Sequence, residues 1–235
     1  METLEHLNGE ISDCRACERL VHWREQVARE KVRRFRGESY WGRPVPGFGD
    51  PTARVLVVGL APAAHGANRT GRMFTGDSSG DWLIEALWFA GFANQPTSTD
   101  AHDGLQLQDL YLTAAVHCAP PDNRPTPEET RTCAPYLARE LALVRPRVVV
   151  ALGKFAMDAV RRSLKTMGVD ASSWTFGHGS QLVVGPYVLM ASYHPSRQNT
   201  QTGKLTQEML RSIFVAAKEA LDSPDWAPFS READS

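Results

Sequence analysis

Val55-Leu56-Val57-Val58-Gly59 constrains the fold more than any other stretch of the chain. It is short, continuously apolar and rich in β-branched residues. Such a run reads as a strand buried on both faces, which is the habit of parallel sheets. Three more runs of this kind follow, at Tyr111 to Val116, Val148 to Leu152 and Tyr187 to Ser192. Helical patterns lie between them, at Gly80 to Ala90, Thr126 to Val144 and Lys154 to Met167, and a last one spans about Leu205 to Leu221. Strands alternating with helices predict a mostly parallel four-stranded sheet covered on both sides. The start of the Thr126 helix is explicit: Thr126 as cap, Pro127 in the first turn and Glu129 at the capping-box position.

Ahead of the sheet, Leu4, Leu7 and Ile11 suit one short helix, and Leu20 and Val27 a second. Gly37 to Pro51 holds three prolines and four glycines and reads as a loop around the body. The tail after Pro224 is expected to fray. One domain of 235 residues is the natural division, with residues 1–36 as an N-terminal helical segment and 224–235 as the tail.

Composition excludes little. Basic and acidic residues number 26 and 27, so any nucleic-acid site must rest on local patches. No apolar run reaches the ~20 residues that span a membrane, and Met1 to Glu10 lacks a signal-peptide core. The expectation is a cytoplasmic protein with reduced thiols. Its four cysteines, Cys14, Cys17, Cys118 and Cys133, then read as metal ligands or buried thiols rather than disulfides. A Cys-x-x-Cys turn with two later cysteines suits either a tetrahedral zinc or a cubane cluster, and the spacing does not choose between them. In both cases the site is a structural staple.

Ligands of open α/β sheets bind beyond the carboxyl ends of the strands. The unusual segments fall there: Leu60 to Gly80, Cys118 to Pro127 and His194 to Thr202. Gly59 to Asp77 (GLAPAAHGANRTGRMFTGD) resembles the first motif of the family 5 uracil-DNA glycosylases, the UDGb type of the iron–sulfur uracil-DNA glycosylase superfamily. Tyr193 to Thr200 (YHPSRQNT) resembles their second motif, and Cys118 to Pro127 (CAPPDNRPTP) the segment between. The cysteines match the cluster ligands of families 4 and 5. The resemblance spans Cys14 to about Leu210. It implies a three-layer α/β/α fold around the four-stranded sheet, a [4Fe–4S] cluster in preference to zinc, and excision of uracil from double-stranded DNA.

That chemistry assigns expectations to residues. The resemblance implies that His194 stabilises the departing uracil anion by a hydrogen bond to O2. The positions after the first strand, Leu60 and Ala61, cannot polarise water, which is a hallmark of family 5. Asp77 is the nearest carboxylate, and two roles compete for it: placing water, or capping the following helix. Phe74 is expected to stack on the extruded base, or to anchor its loop in the core. Asn123 either reads a base edge or serves its turn. Gly59, Ala61 and Ala63 leave backbone amides accessible to phosphate or uracil carbonyls. Ala114 stands where related families place a uracil-reading asparagine, so relaxed selectivity extending to hypoxanthine and other deaminated bases is expected. His65, Arg69, Arg72, Ser196, Arg197, Gln198 and Asn199 are expected to hold DNA, the last three as a minor-groove wedge. Arg33, Arg34 and Arg36 read as a solvated helix face. No obligate protein partner is evident, and a monomer is expected. The competing functions are a non-catalytic iron–sulfur protein that binds damaged DNA and a soluble electron carrier.

Overall fold

The computed structural model describes residues 2–222; the tail expected to fray after Pro224 lies outside them. The four apolar runs form the centre of one sheet: β2 (Val55–Gly59), β3 (Leu110–Ala114), β4 (Val148–Leu152) and β6 (Tyr187–Ser192). They run parallel in the order β3-β2-β4-β6. Two antiparallel edge strands make six rather than four: β1 (Phe48–Gly49) beside β3, and β5 (Gln181–Val184) beside β6. The expected four-stranded sheet is therefore its parallel core.

Each central strand is buried on both faces, as its composition requires. Val55 and Val57 point into one apolar layer with Leu83, Leu87 and Phe214, which come from α4 (Ser78–Phe89) and α8 (Gln207–Asp222). Leu56 and Val58 point the other way, toward Leu137, Leu141 and Val160 of α5 (Pro127–Val144) and α6 (Lys154–Thr166). The result is the expected three-layer α/β/α arrangement. The capping box at the start of α5 forms as predicted: Thr126 Oγ1 accepts the Glu129 amide at 3.2 Å, and Glu129 accepts the Thr126 amide at 2.7 Å.

The N-terminal segment folds as α1 (Leu4–Asp13) and α2 (Glu18–Glu30), with Cys14 and Cys17 in the connection. One turn of 3₁₀ helix, Arg33–Phe35, follows. Two short helices sit in the loops beyond the strands, α3 (Ala67–Thr70) and α7 (Arg197–Gln201). β2 has β3 on one side and β4 on the other, so the chain reverses direction across the sheet at β2. In open parallel sheets such a reversal is where ligand crevices form, here at the carboxyl ends of β2 and β4.

Candidate active site

The first and last of the unusual loops meet above this crevice. Gly59 ends β2, and the Phe74 ring lies directly over it: a Cβ on Gly59 would fall 2.6 Å from Phe74 Cζ. Phe74 holds a left-handed backbone, φ +50°, which any residue but glycine adopts at a cost. The loop accepts that cost to lay an aromatic face at the strand end. Ala114 closes β3 beside Gly59, paired in register with it. The amides of Ala63 and Ala64 bond to no described residue.

Asp77 fulfils the capping role. Its Oδ1 accepts the amides of Ser79 (2.9 Å) and Gly80 (3.0 Å) at the start of α4. Its Oδ2 makes no hydrogen bond among the described residues and lies against Gly66. One oxygen is thus spent on the helix while the other faces the loop. Burial raises the Asp77 carboxyl above the ordinary aspartate range, and the two capping amides pull it back.

His194 follows β6, with its Cβ against Gly153 at the end of β4. The residue as a whole is half-buried, and the protein around the imidazole pushes it down to about 4. It is neutral near pH 7, and neither ring nitrogen bonds to a described residue. Asn199 donates its side-chain amide to the His194 carbonyl at 2.8 Å. Arg197 Nε reaches Ser78 Oγ at 3.3 Å, tying the histidine loop to the turn that Asp77 caps.

Other expected contacts are placed elsewhere. Arg69 and Arg72 are buried and engaged with the protein itself. Arg69 pairs with Glu38 and donates to the carbonyls of His65 and Gly76. Arg72 pairs with Asp103 at 2.8 Å and donates to Thr75 and Ser98. They brace the loop, which corrects the expectation that they face DNA. His65 is half-buried and shares a hydrogen bond with Tyr40 at 3.1 Å. Asn199 braces its loop rather than projecting as a wedge, whereas Arg197 and Gln198 are exposed and Ser196 is half-buried. Asn123 is exposed on a turn where it and Asp122 both have positive φ, 55° and 52°. Turn chemistry accounts for it, and it makes no hydrogen bond to Asp77 or His194.

The four cysteines do converge. Cys14, Cys17, Cys118 and Cys133 line one cavity with Leu20, Pro44 and Val116. No group of three or more His, Cys, Asp or Glu among the described residues is set to hold a single ion. A tetrahedral zinc draws its four sulfurs to ~2.3 Å from one point. A cluster puts iron and sulfide between the thiolates and suits a wider set. Burial pushes the Cys118 thiol up to about 11 and raises Cys133 and Cys17 as well. A metal centre bound here would displace those protons to solvent.

Arg24 is the residue that sequence reasoning missed here. It is 1 % exposed, and its Nη1 donates to Cys118 Sγ at 2.8 Å and its Nη2 to the Cys14 carbonyl at 3.2 Å. The signal was present: Arg24 falls on the same helical stripe as Leu20 and Val27, where a charge needs a buried partner.

A three-layer fold with this crevice and this cysteine set defines the class. The sequence profile of the Uracil DNA glycosylase superfamily matches residues 46–218, and the chain belongs to that superfamily. Within it, the chain is 54% identical to the type-5 uracil-DNA glycosylase of Thermus thermophilus, over 88% of this chain and 94% of that protein. It is 54% identical to the type-5 enzyme of Mycobacterium tuberculosis, over 91% and 80%. For the type-5 enzyme of Pyrobaculum aerophilum the identity is 51%, over 88% of each chain.

Proposed function

We propose that this chain hydrolyses the N-glycosidic bond of uracil in double-stranded DNA, leaving an abasic site for base excision repair. It is a monofunctional uracil-DNA glycosylase. The observation that carries this is identity of 51–54% with type-5 uracil-DNA glycosylases over about nine-tenths of the chain.

The base must leave the duplex to reach the crevice. Phe74 stacks on it there. As the glycosidic bond breaks, the electron pair departs with uracil N1 and negative charge grows on O2. His194, neutral at working pH, donates a hydrogen bond to that oxygen. Positive charge grows on the sugar. The Oδ2 of Asp77 stabilises it, orients the water whose oxygen attacks the anomeric carbon and accepts that water's proton, which then passes to solvent, a task that Leu60 and Ala61 cannot perform. The small residues Gly59, Ala61, Ala63 and Ala114 leave space and free amides rather than a uracil-specific side chain. Hypoxanthine and other deaminated bases therefore enter as well. Ser196, Arg197 and Gln198 meet the DNA at the mouth.

Cys14, Cys17, Cys118 and Cys133 hold a [4Fe–4S] cluster. Bound, it links the α1–α2 connection to β3 and α5 and so fastens residues 1–36 to the single domain. The chain acts as a monomer wherever genomic DNA lies in the cytoplasm; no helix among the described residues is long and apolar enough to cross a membrane.

The test uses cluster-loaded protein and an end-labelled duplex with one uracil opposite guanine. Release of free uracil, with strand breaks only after alkali, is expected. Leu60 and Ala61 favour one rival, a protein that binds damage without chemistry. Tight binding to an abasic duplex with no uracil released at any enzyme concentration would establish that rival instead.

A further inference from the structure

Arg33, Arg34 and Arg36 take no part in the site described above, and they are exposed, as the solvated helix face that the sequence suggests would be. The 3₁₀ turn that carries them is fastened to the active-site loop. The Phe35 ring lies beneath the Arg69 guanidinium, 3.9 Å from its centre. Arg69 in turn grips the carbonyls of His65 (2.9 Å) and Gly76 (3.1 Å), near either end of the loop from Gly59 to Asp77. Tyr40 adds a second tie, through His65.

The turn also lies close to α4. Partial burial pushes the Asp81 carboxyl up, and the Arg34 guanidinium pulls it back. Asp81 stands three residues after Ser78, so the two share one face of the helix. Ser78 receives Arg197 at 3.3 Å. Arg197 contacts the first turn of α4 at Ser78, and the charge of Arg34 is felt on the same face at Asp81. Arg33, Arg34 and Arg36 are all exposed, and none forms an ion pair among the described residues. Three exposed guanidiniums without an ion pair among the described residues, Arg34 lying over the Phe35 ring, on a turn tied to the active-site loop, suit a ligand with regularly repeated anions.

We propose that the Arg33–Arg36 turn grips the phosphate backbone of the duplex, extending across the first turn of α4 the DNA contact that begins at Arg197. This rests on the reading of the chain as a glycosylase of duplex DNA. Guanidiniums match phosphate oxygens two by two, and each neutralised phosphate adds about 0.9 to the slope of log affinity against log salt.

The experiment is fluorescence anisotropy with undamaged and abasic-analogue duplexes over a potassium chloride series. It compares cluster-loaded wild type with R33Q/R34Q/R36Q and R33K/R34K/R36K, each verified by its melting curve. The Gln variant is expected to bind at least ~10-fold more weakly at low salt, with a slope smaller by about 2 to 3. The Lys variant retains the slope. Single-turnover excision at saturating enzyme is unchanged in both, because Asp77 and His194 are untouched. An unchanged slope in the folded Gln variant overturns the proposal, as does a loss that the Lys variant shares. The slopes are read on DNA without uracil. A wild-type protein that binds normally but releases no base would therefore count against the glycosylase reading and leave this one standing.

Discussion

Gly66 and Asp77 are in such close contact that a Cβ on Gly66 would fall 1.9 Å from Asp77 Oδ2. The missing side chain at Gly66 is what allows the carboxylate to keep one oxygen on the helix cap and the other against the loop. Gly66→Ala must push one of them aside. The expected outcome is a fall of about tenfold or more in single-turnover excision with only a modest drop in melting temperature. Measuring both on the same preparation separates displacement of the carboxylate from unfolding.

The pH profile follows from the roles proposed for Asp77 and His194. Burial raises the Asp77 carboxyl above its ordinary 3.8, and the proposed reaction uses it ionised. The rate therefore rises with pH through that raised value and then levels off. His194, pushed down to about 4, is neutral across the working range and adds no limb near 6.5. Single-turnover rates against pH check this. Asp77→Asn should abolish the acid limb; a limb near 6.5 that vanishes in His194→Gln would contradict the account.

Glu140 supplies a stability signature away from the site. It is fully buried between β3 and α5 and accepts from Thr113 Oγ1 at 2.7 Å. His117 Nε2 lies 3.8 Å away, and Tyr111 is the other titratable group that feels its charge. Burial pushes the Glu140 carboxyl up to about 8 from 4.5. The folded protein thus holds a proton that the unfolded chain has lost, so this contribution is complete below pH 4.5 and declines as pH rises to about 8. It amounts to a few kcal/mol at most. Urea unfolding at several pH values should show this decline in wild type and its loss in Glu140→Gln.

Arg24 carries a buried charge whose natural counterpart is a thiolate. Arg24→Met removes the donor to Cys118 and leaves the thiolate set without a compensating cation. The expected outcome is less iron per chain and weaker visible absorbance. Protease cleavage near residues 14–17 should also become easier, since the proposed cluster would fasten that connection. Unchanged iron content would show that the guanidinium serves packing alone.

The sheet core was legible because strands buried on both faces leave no polar position, and β2, β3 and β4 have none at the surface. The edges were not. β1 is two residues long, and β5 alternates between exposed and half-buried positions, so neither makes an apolar run. The convergence of the cysteines was readable from the Cys-x-x-Cys turn and from the helix that carries Cys133 back toward Cys118. Arg69 and Arg72 were misjudged because a guanidinium suits carboxylate and phosphate equally. The partners that decided the matter, Glu38 and Asp103, lie 31 residues away in each case. The capping role of Asp77 was readable in the sequence, but the placing of its second oxygen, which depends on Gly66 lying against it, was not.

The central claim is that Asp77 and His194 act together on an extruded uracil. Its most direct test is single-turnover excision of uracil opposite guanine by wild type, Asp77→Asn and His194→Ala, all with the cluster loaded. Asn caps helices about as well as Asp, so Asp77→Asn should melt within a few degrees of wild type yet excise uracil about 10²-fold more slowly or worse. His194→Ala should lose roughly 10²- to 10³-fold, the scale of removing one donor to a developing anion. Wild-type rates in both variants would contradict the account and move the chemistry away from this rim.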